Sequence, residues 1–387
     1  MRPSLQDDLS PYILTTMSEL REFTFTVEPD VTTARTLPSA FYLDPAVHAL
    51  TRERVFARSW QWLGDLGDVA SPGSLSPREM LPGHLDEPLL LARNATGELR
   101  CLSNVCTHRG NLLVRAPCRA EQIRCGYHSR RFDLGGRMTF MPGFEGAQDF
   151  PGPSDHLPRL PLAAFAGQAF ASLFPAAPFD AFFADIAARL AWLPLDAFGH
   201  DPSRDRQFEF AGHWALYVEN YLEGLHIPFL HPALNQALDL GRYDYELGRY
   251  AILQLAEARE GDAAFDPPAT SPEHGRRIAA YYWWVFPNLM LNFYPWGLSL
   301  NVVQPLAPER TRVVFRAWVH EAARLGTGAG AALDQVELED EAAVESVQRG
   351  LRSRLYDSGR YSPSHERGVH HFHRLLCEFL AAPPSPA

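Results

Sequence analysis

The sequence lacks a run of lysines or arginines, and its 387 residues carry a formal net charge of -11 at pH 7, with a pI of about 5.7. A nucleic-acid-binding protein usually presents a basic face, so this balance argues against a nucleic-acid partner. There is also no long apolar run, because prolines and charged side chains interrupt the most apolar part, residues 160–195. Since no apolar segment follows the acidic start "MRPSLQDDLS" either, we expect a cytoplasmic protein without a membrane partner.

Cysteine is scarce as well, with five in the chain. This number is too small for a disulfide scaffold, and the odd count indicates reduced thiols. Reduced cysteines serve as metal ligands or as small buried hydrophobic residues. We predict burial for Cys101, Cys118 and Cys377, whereas Cys106 and Cys125 belong to a motif described below.

The character of the chain changes along its length, although no internal repeat is present. Residues 41–62 have the apolar periodicity of a helix. Residues 62–162 are rich in glycine and proline, and short runs such as "PLLLAR" indicate strands. After a Pro/Gly-rich exit linker at 141–161 we expect a helix near 179–193, long strands near 278–319 and two C-terminal helices. The predicted parts are an N-terminal helical segment at 1–60 that packs on the last domain, a small all-β domain at 61–165 and an α+β domain at 166–387.

Two cysteines and two histidines form the first group of candidate ligands. "CTHRGNLL" contains Cys106 and His108, and "CGYHSRRFDLGG" contains Cys125 and His128. These residues on two tight turns can enclose one tetrahedral zinc ion. They can also hold a [2Fe-2S] cluster, with both cysteines on one iron and both histidines on the other. Each pair here mixes one cysteine with one histidine, and this favours the cluster.

The segment "ENYLEGLHIPFLH", residues 219–231, concentrates polar groups that are costly to bury among apolar residues. Residues 213–226 have the periodicity of a helix with one apolar stripe, formed by Trp214, Val218, Tyr221 and Leu225. On a helix, Glu219, Glu223 and His226 would form a second stripe, with Asn220 beside it. Such carboxylates need a cation or hydrogen-bond donors if the helix is buried.

His226 and His231 are five residues apart, so on an unbroken helix they would not face one metal ion. Pro228 disfavours helical backbone at the preceding residue, and the chain can then bring His231 back beside His226. Two imidazoles and a carboxylate form a facial triad that binds non-haem Fe(II) and leaves positions open. In the helix "VELEDEAAVESVQRGLRSRLY", Asp340 lies in the apolar stripe, whereas Glu339 points about 100° away and is the weaker candidate.

Both groups of residues resemble one family, the α subunits of Rieske non-haem iron oxygenases. Residues of about 60–165 resemble the Rieske domain, except that the family usually has "CPYHGW" in the second loop. Here Gly126 replaces the proline, and Ser129 and Arg130 replace the glycine and tryptophan. Residues 219–231 resemble the mononuclear-iron motif N-x-x-D-x-x-H-x-x-x-x-H, with Glu223 in place of the aspartate. The helix with Asp340 resembles the segment that supplies the third iron ligand.

The resemblance implies a Rieske domain inserted before a helix-grip (START-like) catalytic domain with an antiparallel sheet. It implies a [2Fe-2S] cluster and a mononuclear Fe(II), whose ligands would be Cys106, His108, Cys125 and His128 for the cluster, and His226, His231 and Asp340 for the iron. Glu223, with Asn220 beside it, would act in catalysis by bridging a Rieske histidine of one subunit to an iron-binding histidine of the next. A homotrimer is therefore expected. The partners would be an NAD(P)H-dependent reductase or a ferredoxin, together with O2.

We therefore expect a terminal oxygenase that hydroxylates or demethylates a small organic substrate, either a quaternary ammonium or an aromatic compound. The C-terminal part resembles the choline monooxygenase branch more than the dioxygenase branch. Ring cis-dihydroxylation by a dioxygenase is the alternative reaction. Two other classes remain: a Rieske electron carrier, which leaves the chain beyond residue 165 unexplained, and a zinc-stabilised START-like ligand-binding protein.

Two further segments are informative. The apolar residues around "VHHFH", residues 369–373, predict a helix whose histidines lie mostly off the apolar face, at the surface or between subunits. The aromatic segment "YYWWVFPNLMLNFYPWG", residues 281–297, is predicted to be mostly sheet core. Some of its rings could line the substrate cavity, where they would suit a flat ring or, through cation–π contacts, a quaternary ammonium.

Overall fold

The computed structural model describes residues 23–331 and 333–382, without the side chains of residue 233 and residues 236–243. The described residues fall into two units, one formed by residues 57–176 and the other by residues 23–56 and 177–382. The boundaries predicted from composition stay predictions, and residues 1–22 of the predicted N-terminal segment lie outside the described residues. Among the helices that the structure describes, none has the length and apolar character needed to cross a membrane.

The first unit consists of short antiparallel strands. They are β1 (Gln61–Asp65), β2 (Ser74–Met80), β3 (Glu87–Arg93), β4 (Leu99–Ser103), β5 (Cys118–Arg119), β6 (Ile123–Arg124), β7 (Arg131–Phe132), β8 (Met138–Phe140), β9 (Arg159–Leu160), β10 (Leu162–Phe165) and β11 (Gln168–Ala171). Three sheets result, with the orders β5-β2-β3-β4-β9, β6-β7-β8 and β1-β11-β10. Leu90, Leu102 and Phe132 pack in a core that also contains the candidate ligands Cys106 and Cys125. The all-β prediction for this region is confirmed.

The second unit combines helices with one large antiparallel sheet. Its helices are α1 (Ser39–Leu43), α2 (Pro45–Thr51), α3 (Asp180–Arg189), α4 (Trp214–Tyr221), α5 (Ile227–Leu230), α6 (Pro232–Ala237), α7 (Leu333–Gly350) and α8 (Arg367–Ala381). Its strands are β12 (Gly199–His200), β13 (Arg206–Phe210), β14 (Leu238–Leu247), β15 (Ala251–Ala258), β16 (Ile278–Val285), β17 (Leu289–Tyr294), β18 (Gly297–Ala307) and β19 (Arg310–Val319). They pair in the order β12-β19-β18-β17-β16-β15-β14, and β13 also pairs with β19. This is the predicted α+β domain with an antiparallel sheet.

The aromatic segment at 281–297 forms much of the sheet core, as predicted. Every residue of β17 is buried, and so are Tyr281 and Trp284 of β16. Helix α4 packs against both β18 and α7. Residues from distant parts of the chain therefore meet between the helices and the sheet, and the second candidate centre forms there.

Two predicted helices are shorter than their periodicity indicated. The helix predicted for 41–62 is interrupted at Asp44, whose side chain accepts the amide of Ala46 (2.8 Å) and begins α2. A π-helical turn, Arg52–Phe56, then ends the helical region before β1. The helix predicted for 213–226 ends at Tyr221. Residues beyond Tyr221 therefore do not share the predicted stripe with Glu219.

Candidate metal centres

Two loops of the first unit carry the Cys-x-His and Cys-x-x-His pairs, and the same hydrogen bonds close both. In each loop the amide of the cysteine donates to the carbonyl five residues later, at 2.9 Å for Cys106 and 2.8 Å for Cys125. The cysteine carbonyl accepts from the amide four residues later, at 3.0 and 3.1 Å. That fourth residue is Gly110 in the first loop and Ser129 in the second, with φ of +69° and +62°. Ser129 therefore adopts a left-handed conformation that favours glycine.

The four candidate cluster ligands converge. Cys106 and Cys125 are buried, and the ring centroids of His108 and His128 are 4.7 Å apart. In the described part of the chain, the buried Nδ1 of His108 has no hydrogen-bond partner. Asn111 Nδ2 lies 3.6 Å from Cys125 Sγ. An unpartnered imidazole nitrogen beside two buried thiols fits a [2Fe-2S] cluster bound by two cysteines and two histidines.

The two thiols differ in their electrostatic surroundings. Burial raises the pKa of Cys106 above its ordinary value. Burial also opposes ionisation of Cys125, but hydrogen bonds from the amides of Tyr127 and His128 outweigh it and lower the pKa of Cys125. Backbone donors thus stabilise the thiolate, which is the form that binds metal.

The other three cysteines lie in different surroundings. Cys101 is buried as predicted and Cys377 is partly buried, but Cys118 is exposed. The predicted burial of Cys118 is therefore wrong. Its strand β5 has only two residues, both exposed, and it pairs only with the edge of β2. Apolar periodicity could not have shown this in so short a strand.

The two histidines of the second centre lie where two short helices meet. Beyond the end of α4, the carboxylate of Glu223 accepts the amides of Leu225 and His226, the latter at 3.2 Å, and so stabilises the turn that precedes α5. Pro228 lies in the first turn of α5, where no amide donor is needed, and not at the predicted break. His231 follows the end of α5, and its ring centroid is 5.0 Å from that of His226. The two imidazoles lie close together, as predicted, but the interruption of the helix lies before His226.

Asp340 projects from α7 towards both imidazoles. Its Oδ1 lies 2.9 Å from Nε2 of His231 and 3.6 Å from Nε2 of His226. The candidate ligand atoms of the three residues lie within 4.8 Å of one another. Asn220 Nδ2 donates to the same Oδ1 at 2.6 Å and so orients the carboxylate. Two imidazole nitrogens and a carboxylate oxygen are the donor set of a non-haem iron site.

The other ring nitrogen of each histidine faces a second carboxylate. Nδ1 of His226 lies 2.5 Å from Glu223 Oε1, and Nδ1 of His231 lies 2.7 Å from Glu339 Oε2. Carboxylates in this position orient a metal-binding imidazole and increase its basicity. Burial opposes protonation of His231, but Asp340 and Glu339 outweigh it and raise the pKa of His231. Glu339 thus faces the nitrogen that is turned away from Asp340.

Glu219 lies apart from this centre, although its predicted stripe contained Glu223 and His226. Its Oε1 accepts a hydrogen bond from the hydroxyl of Tyr42 at 2.8 Å and lies 3.0 Å from Nε2 of His373. The separation follows from the end of α4, because residues beyond it no longer continue the helical repeat.

The segment "VHHFH" departs from its prediction. His373 is fully buried and His370 is 7% exposed, so the predicted position off the apolar face is wrong for both. Nδ1 of His373 contacts the hydroxyl of Tyr361 at 2.6 Å, and Nε2 of His370 contacts the carbonyl of Glu28 at 2.7 Å. These polar partners allow burial of imidazoles, a compensation that periodicity does not reveal.

A cavity of about 120 Å³ lies beside His226, His231 and Asp340. Its walls include Tyr217, Tyr221, Tyr282, Tyr294, Gln254, Asn292, Asn301 and Glu337. Oε2 of Glu337 accepts the hydroxyl of Tyr217 at 2.6 Å, while its buried Oε1 has no hydrogen-bond partner among the described residues. Burial raises the pKa of Glu337 well above its ordinary range, and nearby acidic groups add to the effect. Sequence reasoning missed several residues of this cavity. Gln254 and Asn301 lie in no motif, and Tyr217 and Glu337 lie in predicted helices without a pattern that singles them out.

Comparison with known families matches both units. Residues 59–151 match the Rieske [2Fe-2S] domain, and residues 200–382 match the ring hydroxylating alpha subunit (catalytic domain). The chain is a Rieske oxygenase α subunit. It is therefore an oxidoreductase whose cofactors are a [2Fe-2S] cluster and a mononuclear iron, and enzymes of this family take electrons from a reductase partner.

Named relatives of this α subunit are monooxygenases. The chloroplastic choline monooxygenase of Arabidopsis thaliana is 28% identical, over 89% of this chain and 82% of its own length. The carnitine monooxygenase oxygenase subunit of Escherichia coli K12 is also 28% identical, over 89% of this chain and 94% of its own.

Solved structures confirm the fold. A quaternary ammonium Rieske monooxygenase matches with a TM-score of 0.73 at 23% identity, covering 92% of this chain and all of that chain. Naphthalene 1,2-dioxygenase from a Rhodococcus species matches with a TM-score of 0.67 at 20% identity, over 91% of this chain and 95% of its own. Monooxygenases and dioxygenases thus share this fold, and the fold alone does not select the substrate.

Proposed function

We propose that this α subunit is the oxygenase component of a cytoplasmic monooxygenase that hydroxylates or demethylates a quaternary ammonium compound. The observation that carries the proposal is the lining of the cavity beside His226, His231 and Asp340. Four tyrosine rings, Tyr217, Tyr221, Tyr282 and Tyr294, and a buried carboxyl group, Glu337, line it.

Each of these groups favours a cation. Aromatic rings attract an ammonium group through their negative faces, and the rings of Tyr282 and Tyr294 meet edge to face with centroids 5.8 Å apart. A buried carboxylate is costly unless it is paired or protonated. A cationic head group would pair with the ionised form of Glu337, whereas a neutral aromatic hydrocarbon would leave Oε1 of Glu337 without a partner. The choline and carnitine monooxygenases among the relatives support the same substrate class.

The proposed ligand sets are Cys106, His108, Cys125 and His128 for the cluster, and His226, His231 and Asp340 for the iron. When bound, the cluster supplies electrons and the iron activates O2. The protein residues around the iron site hold its ligands in place. Asn220 fixes Asp340 through Oδ1, and Glu223 and Glu339 hold the two imidazoles through Nδ1, so that both Nε2 atoms face the same point.

A homotrimer with electron transfer between subunits is part of the proposal and is supported by the family resemblance. In it, Glu223 would connect His226 to a Rieske histidine of the neighbouring subunit. Closed cyclic symmetry is the expected result when subunits contact one another head to tail. Light scattering on the purified protein tests this part, since an active monomer would contradict it.

The substrate class is tested with a matched pair of ligands. Choline and 3,3-dimethyl-1-butanol have nearly the same shape, but only choline carries a charge. The chemically reduced, iron-loaded protein should bind and oxidise choline, carnitine or a related trimethylammonium compound in a single turnover with O2. It should bind the neutral alcohol about 5- to 30-fold more weakly, because one cation–π or ionic contact contributes about 1–2 kcal/mol. Equal binding of both, or cis-dihydroxylation of naphthalene, would contradict the proposal.

A variant links this preference to the cavity. Glu337→Gln removes the ability to ionise against a bound cation with little change of volume, so it should weaken binding of the ammonium compound while binding of the neutral alcohol stays the same. Glu345→Gln on the same helix is the matched control, because Glu345 does not line the cavity and its carboxylate accepts the amide of Ala211 at 2.9 Å.

A further inference from the structure

Arg130 is an unusual residue in the core of the first unit. It is 1% exposed and is among the largest fully buried side chains of the described residues. It occupies the place of the tryptophan in the second-loop pattern "CPYHGW", two residues after His128. A buried guanidinium cannot lose its charge at physiological pH, so it needs a compensating anion.

The compensating anion is Asp155. Its Oδ1 forms an ion pair with the guanidinium of Arg130, and its Oδ2 accepts the amide of Gly152 at 2.8 Å. The backbone carbonyl of Asp155 accepts the hydroxyl of Thr107 at 2.8 Å, and Thr107 lies between Cys106 and His108. Asp155 thus contacts both cluster loops, although it comes from the segment predicted to be an exit linker.

Contacts connect Arg130 to candidate cluster ligands on both loops. The carbonyl of Arg130 closes the second loop by accepting the amide of Cys125. Its guanidinium lies 5.5 Å from the ring centroid of Phe150, whose ring contacts Phe144 (4.7 Å between centroids), and Phe144 in turn contacts His108 (5.5 Å). The guanidinium of Arg130 is itself shielded from water, so solvent and ions screen its charge less than they screen a charge at the surface.

Arg124 differs from Arg130 in its exposure to solvent. Arg124, at the start of the same loop, is exposed and its guanidinium donates to Ser129 Oγ at 2.8 Å. Solvent and ions screen an exposed charge. Arg124 is therefore a matched control for Arg130: the same side chain, in the same loop, without burial.

We propose that the Arg130–Asp155 ion pair sets the reduction potential of the Rieske cluster. Reduction adds one electron to the cluster, and the buried positive charge of Arg130 stabilises the added negative charge and so raises the potential. Asp155 counteracts Arg130 and keeps the potential from rising further. This inference rests on the proposed ligation of the cluster by Cys106, His108, Cys125 and His128. Arg130 is a positioning residue and does not contact the substrate.

The test is a redox titration of the full-length, cluster-loaded protein, followed by visible absorption and circular dichroism at fixed pH. Arg130→Met should lower the midpoint potential and Asp155→Asn should raise it. We expect at least a tenfold change in the ratio of reduced to oxidised cluster at a given potential, which corresponds to about 59 mV for a one-electron couple. Arg130→Lys should stay near the wild type, and Arg124→Met should shift the potential much less than Arg130→Met.

The opposite signs separate an electrostatic role from a structural one. A pair that only braces the loops would shift the potential in the same direction in both variants, or in neither, and either result would overturn the inference. If Arg130→Met fails to retain the cluster, Asp155→Asn decides alone: a higher potential supports the inference, and an unchanged or lower one overturns it. Failure of the underlying ligand assignment would be recognised by a different result, namely a wild-type protein without a Rieske spectrum.

Discussion

The two candidate metal centres are built in opposite ways. All four candidate cluster ligands lie between Cys106 and His128, on two loops closed by the same backbone hydrogen bonds. The iron site instead joins His226 and His231 to Asp340, which follows more than a hundred residues later on α7. The first centre therefore depends on local backbone geometry, whereas the second depends on the packing of α4, α5 and α7.

The groups that support the ligands also differ. In the first unit, backbone amides stabilise the thiolate of Cys125. In the second, side-chain carboxylates hold His226 and His231 at Nδ1, and Asn220 holds Asp340. A side-chain substitution should therefore disturb the iron site in graded steps, while the cluster site should respond mainly to loss of a ligand.

The largest effect is expected from loss of a cluster ligand. Cys125→Ser should abolish the visible Rieske spectrum, because serine does not supply the thiolate that the iron needs. Cys118→Ser, at an exposed position of the same unit, should leave the spectrum unchanged. Iron and sulfide analysis with the visible spectrum checks both. A cluster retained in Cys125→Ser would contradict the ligand assignment.

Loss of the carboxylate ligand should affect the iron site and leave the cluster site intact. Asp340→Ala should lose the mononuclear iron and turnover but keep the Rieske spectrum, since the cluster loops contain no part of α7. The iron content per chain and a product assay measure this. If turnover survives, the third ligand lies elsewhere.

Intermediate effects are expected from the carboxylates behind the histidines. Glu339→Gln and Glu223→Gln should each weaken iron binding by about 10–100-fold, because the imidazoles lose a charged partner. Only Glu223→Gln should also slow reoxidation of a prereduced cluster by O2 in the presence of substrate. Iron titration and stopped-flow absorption measure the two quantities separately. Equal reoxidation rates in the wild type and Glu223→Gln would remove the proposed electron-transfer role.

The smallest expected effect is on the stability of the fold and concerns α4, the helix that carries Asn220. His213 is fully buried and caps α4, with Nδ1 accepting the amide of Ala215 at 3.2 Å. Burial lowers the pKa of His213 well below 6.5, and nearby His48 adds to this. The unfolded chain therefore binds the proton more readily, so this stability is present above pH 6.5 and is lost as the pH falls.

Between pH 6.5 and pH 5, the folded state should therefore lose stability through this one group. Denaturant unfolding followed by circular dichroism at both pH values measures the loss. His213→Asn retains a capping side chain but does not titrate, so it should show a smaller pH dependence. The same loss of stability in this variant would assign the effect to other groups.

The iron should also dissociate on acidification before the Rieske spectrum changes.

Much of the molecule could be predicted from local patterns. The spacing of Cys106, His108, Cys125 and His128 indicated two ligand-bearing turns, and each turn is in fact closed by bonds within six residues. The placement of Asp340 in an apolar stripe of a helix singled it out among several acidic neighbours. The buried aromatic strands followed from composition. The patterns that made these predictions each lie within one loop, helix or strand.

Local patterns were wrong where distant contacts decide. Periodicity placed Glu219 in one helical stripe with Glu223 and His226, but α4 ends at Tyr221 and Glu219 contacts Tyr42 and His373 instead. His373 is buried because a carboxylate and a hydroxyl from other parts of the chain compensate its polarity. Cys118 is exposed because its short strand lies at a sheet edge.

By itself, the sequence determined the ligand types, the two cluster loops and the division into β-rich and α+β parts, because short-range hydrogen bonding and side-chain periodicity specify these features. Only the tertiary structure decided which nitrogen of each histidine faces Asp340, which carboxylates hold the imidazoles, and that Glu337 faces the cavity. It also placed Asp155 beside Arg130. These contacts join residues far apart in the chain, and their geometry follows from the packing of whole elements rather than from the spacing within any one of them.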